Sequence, residues 1–406
     1  MDFNIFRSIS AVFVLMLVAY LASSNRKNIN WRTVIGALAL QISIGAFVLY
    51  LPAGKDILLS VSNGVANVIG YANDGIFFIF GEQIGEKNLG FMFAFHVLPV
   101  IVFFSALIAV LYYIGVMAVV IKFIGGGLQK LLKTSQAESM SATANIFVGQ
   151  TEAPLVIKPF LPTMTRSELF AVMVGGIASV AGSVVAGYAG IGIDLKFLIA
   201  ASFMAAPGGL LMAKMLVPET EQPNDNLNNL KSDAKEAVNV IDAAATGASN
   251  GMMLALNVGA MLLAFVALLA MFNGLLGSFG ELFGLQNLSL QLVLGYVFQP
   301  IAYLIGIPWS EANLAGSFLG QKIVINEFVA YLDFIKVADQ LSSRTQAIIT
   351  FALCGFANLS SVAILLGGMG NMAPNRRHDI AKLGMKAVMA GAMANLMSAT
   401  IAGIFI

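Results

Sequence analysis

Long apolar stretches dominate the chain, and short polar or glycine-rich segments separate them. A transmembrane helix needs about 20 predominantly apolar residues to cross the hydrocarbon core of a bilayer. Stretches of about this length or longer occur at residues 5–22, 34–51, 91–121, 169–188, 197–217, 252–275, 347–368 and 387–406. The pattern therefore predicts an all-α integral membrane protein with about eight transmembrane helices.

A further apolar stretch, residues 57–80, contains Gly64, Asn67, Asn73 and Asp74. Polar residues distributed along an apolar helix suit a position in the plane of the membrane interface better than a crossing. We therefore predict interfacial helices here.

Two more apolar segments are interrupted by residues that break helices. Residues 142–164 contain Gly149 and Glu152, and residues 306–334 contain Pro308. Broken backbone at membrane depth is tolerated only where protein or water supplies hydrogen-bond partners. Interrupted segments at corresponding positions of two halves indicate a transporter's binding site. We predict that each of the two segments is a re-entrant helical hairpin.

Each predicted hairpin is followed by an apolar span with polar groups near its middle, Ser179 in the first and Asn358 in the second. Arg166 places the connection after the first hairpin on the cytoplasmic side, because basic residues accumulate there. An odd number of further crossings then places the connection after the second hairpin outside. The two units are therefore predicted to be inverted repeats, an architecture that serves alternating access.

Lysine and arginine residues are concentrated in alternate connections, which sets the predicted orientation. The other connections hold few of them, such as Lys55, Lys87 and Lys196. We predict a multi-pass protein of the cytoplasmic (inner) membrane, with both termini outside and a polar cytoplasmic loop at residues 218–247. The basic residues on the predicted cytoplasmic side are Arg26, Lys27, Arg32, Lys122, Lys130, Lys133, Lys214, Lys231, Lys235, Arg376, Arg377, Lys382 and Lys386.

Composition excludes several classes of protein. Hydrophobic residues make up 58% of the chain, charged residues make up 11%, and the net charge is +1, which fits neither a disordered polymer nor a basic nucleic-acid-binding protein. A single cysteine and two histidines argue against a disulfide scaffold and a His/Cys metal cluster. The sequence has no P-loop for ATP-driven transport. It also has no catalytic set for an intramembrane hydrolase, so we predict that the chain is not an enzyme.

Ionisable residues inside a membrane are costly, and they indicate functional sites. Glu152 and Glu327 each lie within an interrupted segment, whereas most other acids lie in loops. Glu327 with Asn358 and Ser361 would suit the hydroxyl groups of a neutral solute. Either acid could instead bond the broken backbone of its hairpin, and the amide and hydroxyl could instead join helices.

Gln150 and Thr151 stand beside Glu152, and their donors and acceptors suit one edge of a heterocycle. Lys158 and Lys322 are the nearest cations, and we expect both to reach an interface, so phosphorylated and carboxylated substrates are disfavoured. Asn145 and Ser179, with backbone carbonyls near Val148 and Val180, offer oxygen ligands for Na⁺. Ser179 could also serve only as a small residue that lets helices approach.

Three motifs occur in order along the chain: GQTEAPL at 149–155, NEFVAY at 326–331 and CGFANLSS at 354–361. With them the chain resembles, over essentially its whole length, the concentrative nucleoside transporters. The resemblance implies eight spans with re-entrant hairpins, a homotrimer, and a scaffold part beside a moving transport part. It also implies nucleoside uptake driven by a cation gradient.

Matched residue by residue, the same resemblance implies three groups of ligands. The nucleobase would be held by Gln150, Thr151 and Glu152, with Val184 and Leu254 against its faces. The ribose would be held by Glu327, Asn358 and Ser361, with Phe356 beside them. The sodium ion would be held by Asn145, Val148, Ser179 and Val180.

The predicted division of the chain has five parts. They are scaffold spans with interfacial helices at 1–121, a first transport repeat at 122–217, the polar loop at 218–247, a scaffold span at 248–288 and a second transport repeat at 289–406.

The predicted function is sodium-coupled symport of nucleosides such as uridine, without an organic cofactor. The partners are the nucleoside, the lipid bilayer and two further copies of the chain. Proton coupling through Glu152 or Glu327 stays open. A passive channel, which would give flux without uphill accumulation, is a third possibility, and the paired acids in inverted hairpins argue against it.

Overall fold

The computed structural model describes residues 3–81, 92–223, 237–284 and 288–406. Phe91, Lys87, Lys231 and Lys235, which enter the predictions above, lie outside these ranges. Every long regular element among the described residues is a helix. The α-helices are α1 (Phe3–Leu21), α2 (Trp31–Leu49), α3 (Pro52–Gly70), α4 (Ala72–Phe80), α5 (Phe93–His96), α6 (Leu98–Tyr113), α7 (Val116–Leu132), α8 (Gln136–Ala144), α9 (Arg166–Ala178), α10 (Gly182–Gly190), α11 (Leu195–Leu216), α12 (Val240–Leu282), α13 (Leu290–Leu304), α14 (Trp309–Val324), α15 (Glu327–Val337), α16 (Ser343–Leu353), α17 (Ser361–Met372) and α18 (Arg377–Phe405).

Six helical segments in the described ranges are long and apolar enough to cross a membrane. They are α2, α5–α6, α9–α10, α11, α12 and the segment that contains α18. Two shorter apolar helices, α1 and α17, correspond to two other stretches of the predicted set, and α13 and α14 form an apolar pair that is bent by 117°. Helices α3 and α4 are not among the six, which agrees with their prediction as interfacial helices. The all-α membrane architecture is confirmed.

The predicted third span, residues 91–121, is wrong at its C-terminal end. Helix α6 stops at Tyr113, and Gly115 adopts a left-handed conformation with φ of +86°. That conformation is open to glycine at no steric cost, and it redirects the chain into the separate helix α7.

The two hairpins have somewhat different bounds from those predicted. Hairpin 1 consists of α8 and a 3₁₀ helix at Ala153–Thr163, and hairpin 2 consists of α14 and α15. Hairpin 1 begins before residue 142 because Ser135 and Glu138 form a capping box that starts α8. Pro308 fixes the start of hairpin 2, which continues past residue 334 to the end of α15.

Each hairpin leads into a span that is broken in the middle, which the continuous apolar stretches did not indicate. The first broken span is α9–α10, interrupted at residues 179–181, and the second is α16–α17, interrupted at residues 354–360. The order of helix, hairpin, broken span and unbroken span therefore occurs twice, in α7–α11 and in α13–α18. This repetition agrees with the two repeats of the prediction.

Helix α18 lies at the centre of the packing and contacts α1, α2, α9, α11, α16 and α17. The first broken span is the most buried of the apolar segments: 94% of its most apolar stretch is buried, against 11% for that of α12. Helix α12 packs mainly on α6, where Gly247 and Gly251 let the backbones approach. A Cβ atom at Gly251 would lie 2.8 Å from the Cα atom of Val102. Small residues at such crossings are typical of membrane helices.

Candidate functional site

The tip of hairpin 2 presents a carboxylate at the start of a helix. The side chain of Asn326 caps α15 by accepting a hydrogen bond from the backbone N–H of Val329 at 2.9 Å. Glu327 is therefore the first residue of α15, where the helix dipole favours a negative charge. Glu327 follows the capping residue Asn326 directly, because the cap determines where α15 begins.

Both carboxylate oxygens of Glu327 accept hydrogen bonds from other parts of the chain. The hydroxyl of Tyr188 on α10 donates to Oε1 at 2.9 Å, and Nδ2 of Asn358 donates to Oε2 at 3.0 Å. Glu327 is 5% exposed, and Tyr188 and Asn358 are buried. A carboxylate has about four lone-pair sites, so two acceptor positions remain for a ligand.

Asn358 also orders the break in the second broken span. Its Oδ1 accepts hydrogen bonds from the backbone N–H and the hydroxyl of Ser361, at 3.0 and 3.1 Å. Asn358 lies in the break before α17, which begins at Ser361, so the two residues do not belong to one helix. The two side chains nevertheless meet. Phe356, half-buried in the same break, donates its backbone N–H to the carbonyl oxygen of Ser179 at 3.2 Å.

The tip of hairpin 1 carries the second acid of the pair. Oε2 of Glu152 accepts a hydrogen bond from the backbone N–H of Gly149 at 3.2 Å, and the side chain is exposed. Gln150 is buried, and its Oε1 has no hydrogen-bond partner among the described residues. A Cβ atom on Gly368 of α17 would lie 2.9 Å from Cγ2 of Thr151, so this tip packs directly on α17.

Two helices join the groups at the hairpin tips. Ser361 and Gly368 are seven residues apart on α17, which is about two turns and about 10 Å on one face. Val184 and Tyr188 are four residues apart on α10 and likewise share a face. Val184 is buried. Leu254 stands apart, because it is half-buried on α12, a helix that packs mainly on α6.

The candidate sodium ligands lie where hairpin 1 meets the break of the first broken span. Asn145 directly follows α8, Ser179 directly follows α9, and Val148 and Val180 are buried nearby. A Cβ atom on Gly176 would lie 3.7 Å from Oδ1 of Asn145, so the hairpin passes close to α9.

The atoms available at this place suit a small hard cation. Nδ2 of Asn145 donates to the carbonyl oxygen of Ser141 at 2.9 Å, while its buried Oδ1 has no partner in the described part of the chain. The hydroxyl of Ser179 donates to the carbonyl oxygen of Gly175 at 2.9 Å, which leaves its lone pairs free to accept or to coordinate. Neutral oxygen ligands of this kind fit Na⁺. No cluster of three His, Cys, Asp or Glu side chains that fits another metal occurs in residues 3–81, 92–223, 237–284 and 288–406.

Sequence reasoning missed three buried polar residues of this region, Tyr188, Lys322 and Asn395. Tyr188 donates a hydrogen bond to the carboxylate of Glu327, as described above. Lys322 does not reach an interface as expected: it is 3% exposed, and its Nζ donates at 2.7 Å to the carbonyl oxygen of Ala352 and to Oδ1 of Asn395. Lys158 is exposed, as expected. A lone polar residue in an apolar helix gives no indication of its partner when that partner lies 73 positions away.

Family models match nearly the whole length of the chain. "Na+ dependent nucleoside transporter N-terminus" matches residues 10–83, "Nucleoside recognition" matches residues 94–194, and "Na+ dependent nucleoside transporter C-terminus" matches residues 197–403. The chain belongs to the concentrative nucleoside transporter family. The family consists of membrane transporters, and the chain is accordingly a transporter and not an enzyme.

Relatives agree with this assignment. The chain is 58% identical to an uncharacterized transporter of Haemophilus influenzae, with 99% of this chain and 98% of that protein covered. It is 51% identical to the nucleoside permease NupC of Helicobacter pylori, with 100% and 99% covered. It is 38% identical to sodium/nucleoside cotransporter 1 of Mus musculus, with 98% of this chain and 63% of that longer protein covered.

Solved structures of one relative, CNTnw, show opposite transport states. The chain is 58% identical to CNTnw in an inward-facing substrate-bound state, with a TM-score of 0.95 and coverage of 99% of this chain and 98% of that one. A CNTnw variant in an outward-facing state gives a TM-score of 0.97 with the same identity and coverage. These are the two opposite states between which a transporter passes in alternating access.

Replacement of Tyr188 by Phe is expected to destabilise the protein, because a buried carboxylate loses a hydrogen bond. Hydrogen bonds to charged groups contribute about 1.5–3 kcal/mol and neutral ones about 1 kcal/mol. Tyr331→Phe is the matched control, since Tyr331 is equally buried and donates to the neutral carbonyl oxygen of Thr350 at 2.7 Å. The unfolding temperature of the purified protein in detergent should fall further for Tyr188→Phe. Equal decreases would show that Tyr188 does not stabilise Glu327.

Proposed function

We propose that the protein is a sodium-coupled nucleoside symporter that imports nucleosides such as uridine across the cytoplasmic membrane. The observation that carries the proposal is the carboxylate of Glu327, which is buried at membrane depth and fixed by two donors, with acceptor positions to spare. Such a group is costly to place in a membrane. A ligand with several hydroxyl groups would compensate that cost.

The ribose would lie against Glu327, Asn358 and Ser361, with Phe356 beside it. Hydroxyl groups can donate to the remaining lone pairs of Glu327 and can accept from the amide of Asn358, as charge-assisted bonds require. Glu327 lies at the tip of hairpin 2, Phe356 and Asn358 lie in the break before α17, and Ser361 is the first residue of α17. A ribose there would therefore contact both hairpin 2 and the second broken span.

The nucleobase would lie about two turns of α17 further on, against the tip of hairpin 1. Gln150, Thr151 and Glu152 offer amide, hydroxyl and carboxylate groups in a row, and Val184 offers an apolar surface from α10. The buried Oε1 of Gln150 has no partner in the described residues, and an N–H group of the base would satisfy it. Leu254 would reach the base from α12 only in an arrangement that brings α12 closer.

The coupling ion would lie between Asn145, Val148, Ser179 and Val180. Asn145 supplies an oxygen that lacks a partner, and the break at Ser179 supplies backbone carbonyls. Proton coupling is the second candidate, because the exposed carboxylate of Glu152 at the tip of hairpin 1 could take up and release a proton. We favour sodium because the description of the matched family names it.

Hairpins 1 and 2 with the broken spans would move together as the transport part, at residues 122–217 and 289–406. Residues 1–121 and 248–288 would form the scaffold, with the polar loop at 218–247 in the cytoplasm and both termini outside. The exposed apolar face of α12 would contact lipid or the other copies in a homotrimer.

Uridine uptake into proteoliposomes tests the proposal. Accumulation above equilibrium is expected with an inward sodium gradient and not when choline replaces sodium. Equal accumulation in choline under a pH gradient would assign the coupling to protons. Absence of uridine uptake under either gradient would contradict nucleoside symport, and equilibration without accumulation would indicate a channel.

Replacement of Glu327 by Gln is expected to weaken uridine binding about 100-fold, which corresponds to roughly 2.7 kcal/mol. Tyr188 and Asn358 both donate to Glu327, so the amide nitrogen of Gln would face a donor on one side. Glu281→Gln is the matched control, since Glu281 is exposed at the end of α12. Isothermal titration of the detergent-solubilised protein gives both affinities. Unchanged affinity in Glu327→Gln would contradict the ribose assignment.

Simultaneous replacement of Asn145 and Ser179 by Ala is expected to raise the half-saturating sodium concentration by about tenfold or more. The change removes two oxygen ligands while it leaves the uridine contacts in place. Ser202→Ala is the control, because Ser202 makes the same kind of bond to its own helix, at 3.0 Å to the carbonyl oxygen of Leu198. Uptake is measured against sodium concentration. An unaltered sodium curve in the double variant would rule out this ion site.

A further inference from the structure

Lys322 is a buried lysine that is not among the proposed ligands of the nucleoside or of the sodium ion. It lies on α14 of hairpin 2, five residues before Glu327 at the start of α15, and both side chains are buried. Its Nζ donates to the carbonyl oxygen of Ala352 in the last turn of α16 and to Oδ1 of Asn395 on α18, each at 2.7 Å. A buried ammonium needs such acceptors to compensate its lost hydration.

Asn395 connects this cation to both broken spans. Its Nδ2 donates to the carbonyl oxygen of Ala178, the last residue of α9, at 2.6 Å, and to that of Cys354 at 2.9 Å. Gly355 makes the contact possible, because a Cβ atom there would lie 2.3 Å from Oδ1 of Asn395.

Lys322 occupies a place in the second repeat that corresponds to the ion site in the first. We name the meeting of α8 and α9, with Asn145 and Ser179, the ion corner, and the meeting of α14 and α16, with Lys322 and Ala352, the lysine corner. In both corners the entering helix of a hairpin ends beside the end of the first half of a broken span. The inverted repeat thus pairs the two corners.

The two corners differ in charge. Helix C-termini carry partial negative charge and unsatisfied carbonyl oxygens, and a cation near them is stabilised. In the lysine corner the chain itself supplies the cation, through the side chain of Lys322. In the ion corner Asn145 and Ser179 are neutral, so a positive charge has to come from solution.

We propose that the ammonium of Lys322 is a tethered cation that does in the second repeat what the coupling ion does in the first. It stabilises the hairpin against the broken span and balances the charge of Glu327. This inference rests on the proposed sodium coupling. Its consequence is that one coupling ion accompanies each nucleoside, because the second corner is already filled.

Two substitutions separate the charge of Lys322 from its bulk. Lys322 borders a cavity of about 50 Å³ whose other walls include Leu319, Ala352 and Leu396. Lys322→Ser would enlarge this cavity and leave a hydroxyl, so that a sodium ion could replace the ammonium. Lys322→Met would keep the bulk of the side chain and leave no space for an ion.

The experiment measures uridine binding and unfolding temperature as functions of sodium concentration, for wild type and both variants in detergent. The wild type should show a Hill coefficient for sodium of about one, and Lys322→Ser a coefficient approaching two with a raised half-saturating concentration. Sodium should also raise the unfolding temperature of Lys322→Ser more than that of Lys322→Met, without nucleoside. Lys322→Met should bind uridine at least about tenfold more weakly at every sodium concentration, since a buried carboxylate then lacks its counter-charge.

Identical sodium dependence of the two variants, or wild-type uridine affinity in Lys322→Met, would overturn the proposal. If Lys322→Ser does not fold, the ratio of sodium to uridine transported by the wild type decides: one supports the tethered cation, and two overturns it. A wild type that binds no uridine or ignores sodium would contradict the proposed function instead. In that case, the sodium-dependent change in unfolding temperature of Lys322→Ser and Lys322→Met would still test the lysine corner, because it needs no nucleoside.

Discussion

Backbone groups freed inside a membrane must find partners within the protein, and this constraint organises the centre of the molecule. Two spans are broken at residues 179–181 and 354–360, and each break leaves carbonyl and N–H groups without helical partners. The breaks satisfy one another: the N–H of Phe356 donates to the carbonyl oxygen of Ser179, and Asn395 donates to carbonyl oxygens on both sides. The two repeats therefore supply hydrogen-bond partners to each other at the breaks.

Close approach of backbones makes these contacts possible, and glycine provides it at the points of contact. Gly176 lets hairpin 1 pass α9, since a Cβ atom there would lie 2.7 Å from Cβ of Gln150. Gly355 admits Asn395, and Gly368 admits Thr151 from the hairpin tip. Glycine in a helix destabilises it by about 1 kcal/mol relative to alanine. At these positions the absence of a side chain lets polar groups of neighbouring segments come into contact.

The sequence was sufficient for the spans, the hairpins and the acids at their tips, because apolar length, helix breakers and buried charge are local properties of the chain. The membrane architecture and the family were confirmed, whereas the roles of the site residues stay predictions. The break positions, Tyr188, Lys322 and Asn395 were missed. Each acts through a partner many positions away, as Tyr188 does with Glu327 at a separation of 139, and no periodicity indicates such a pair.

Ser179 gives the proposed coupling of ion binding to nucleoside binding a physical basis, because it would take part in the ion site and also contacts the break that would hold the ribose. Its hydroxyl and the adjoining backbone would bind the ion, while its carbonyl oxygen accepts from Phe356 in the break that would hold the ribose. An ion that orders the first break therefore also fixes the carbonyl oxygen that accepts from Phe356 in the second break. A bound ribose that orders the second break would in return stabilise the ordered first break. Such coupling is reciprocal by necessity. One peptide unit between two breaks is a short path for it, and the path lies wholly within the part of the chain that would move.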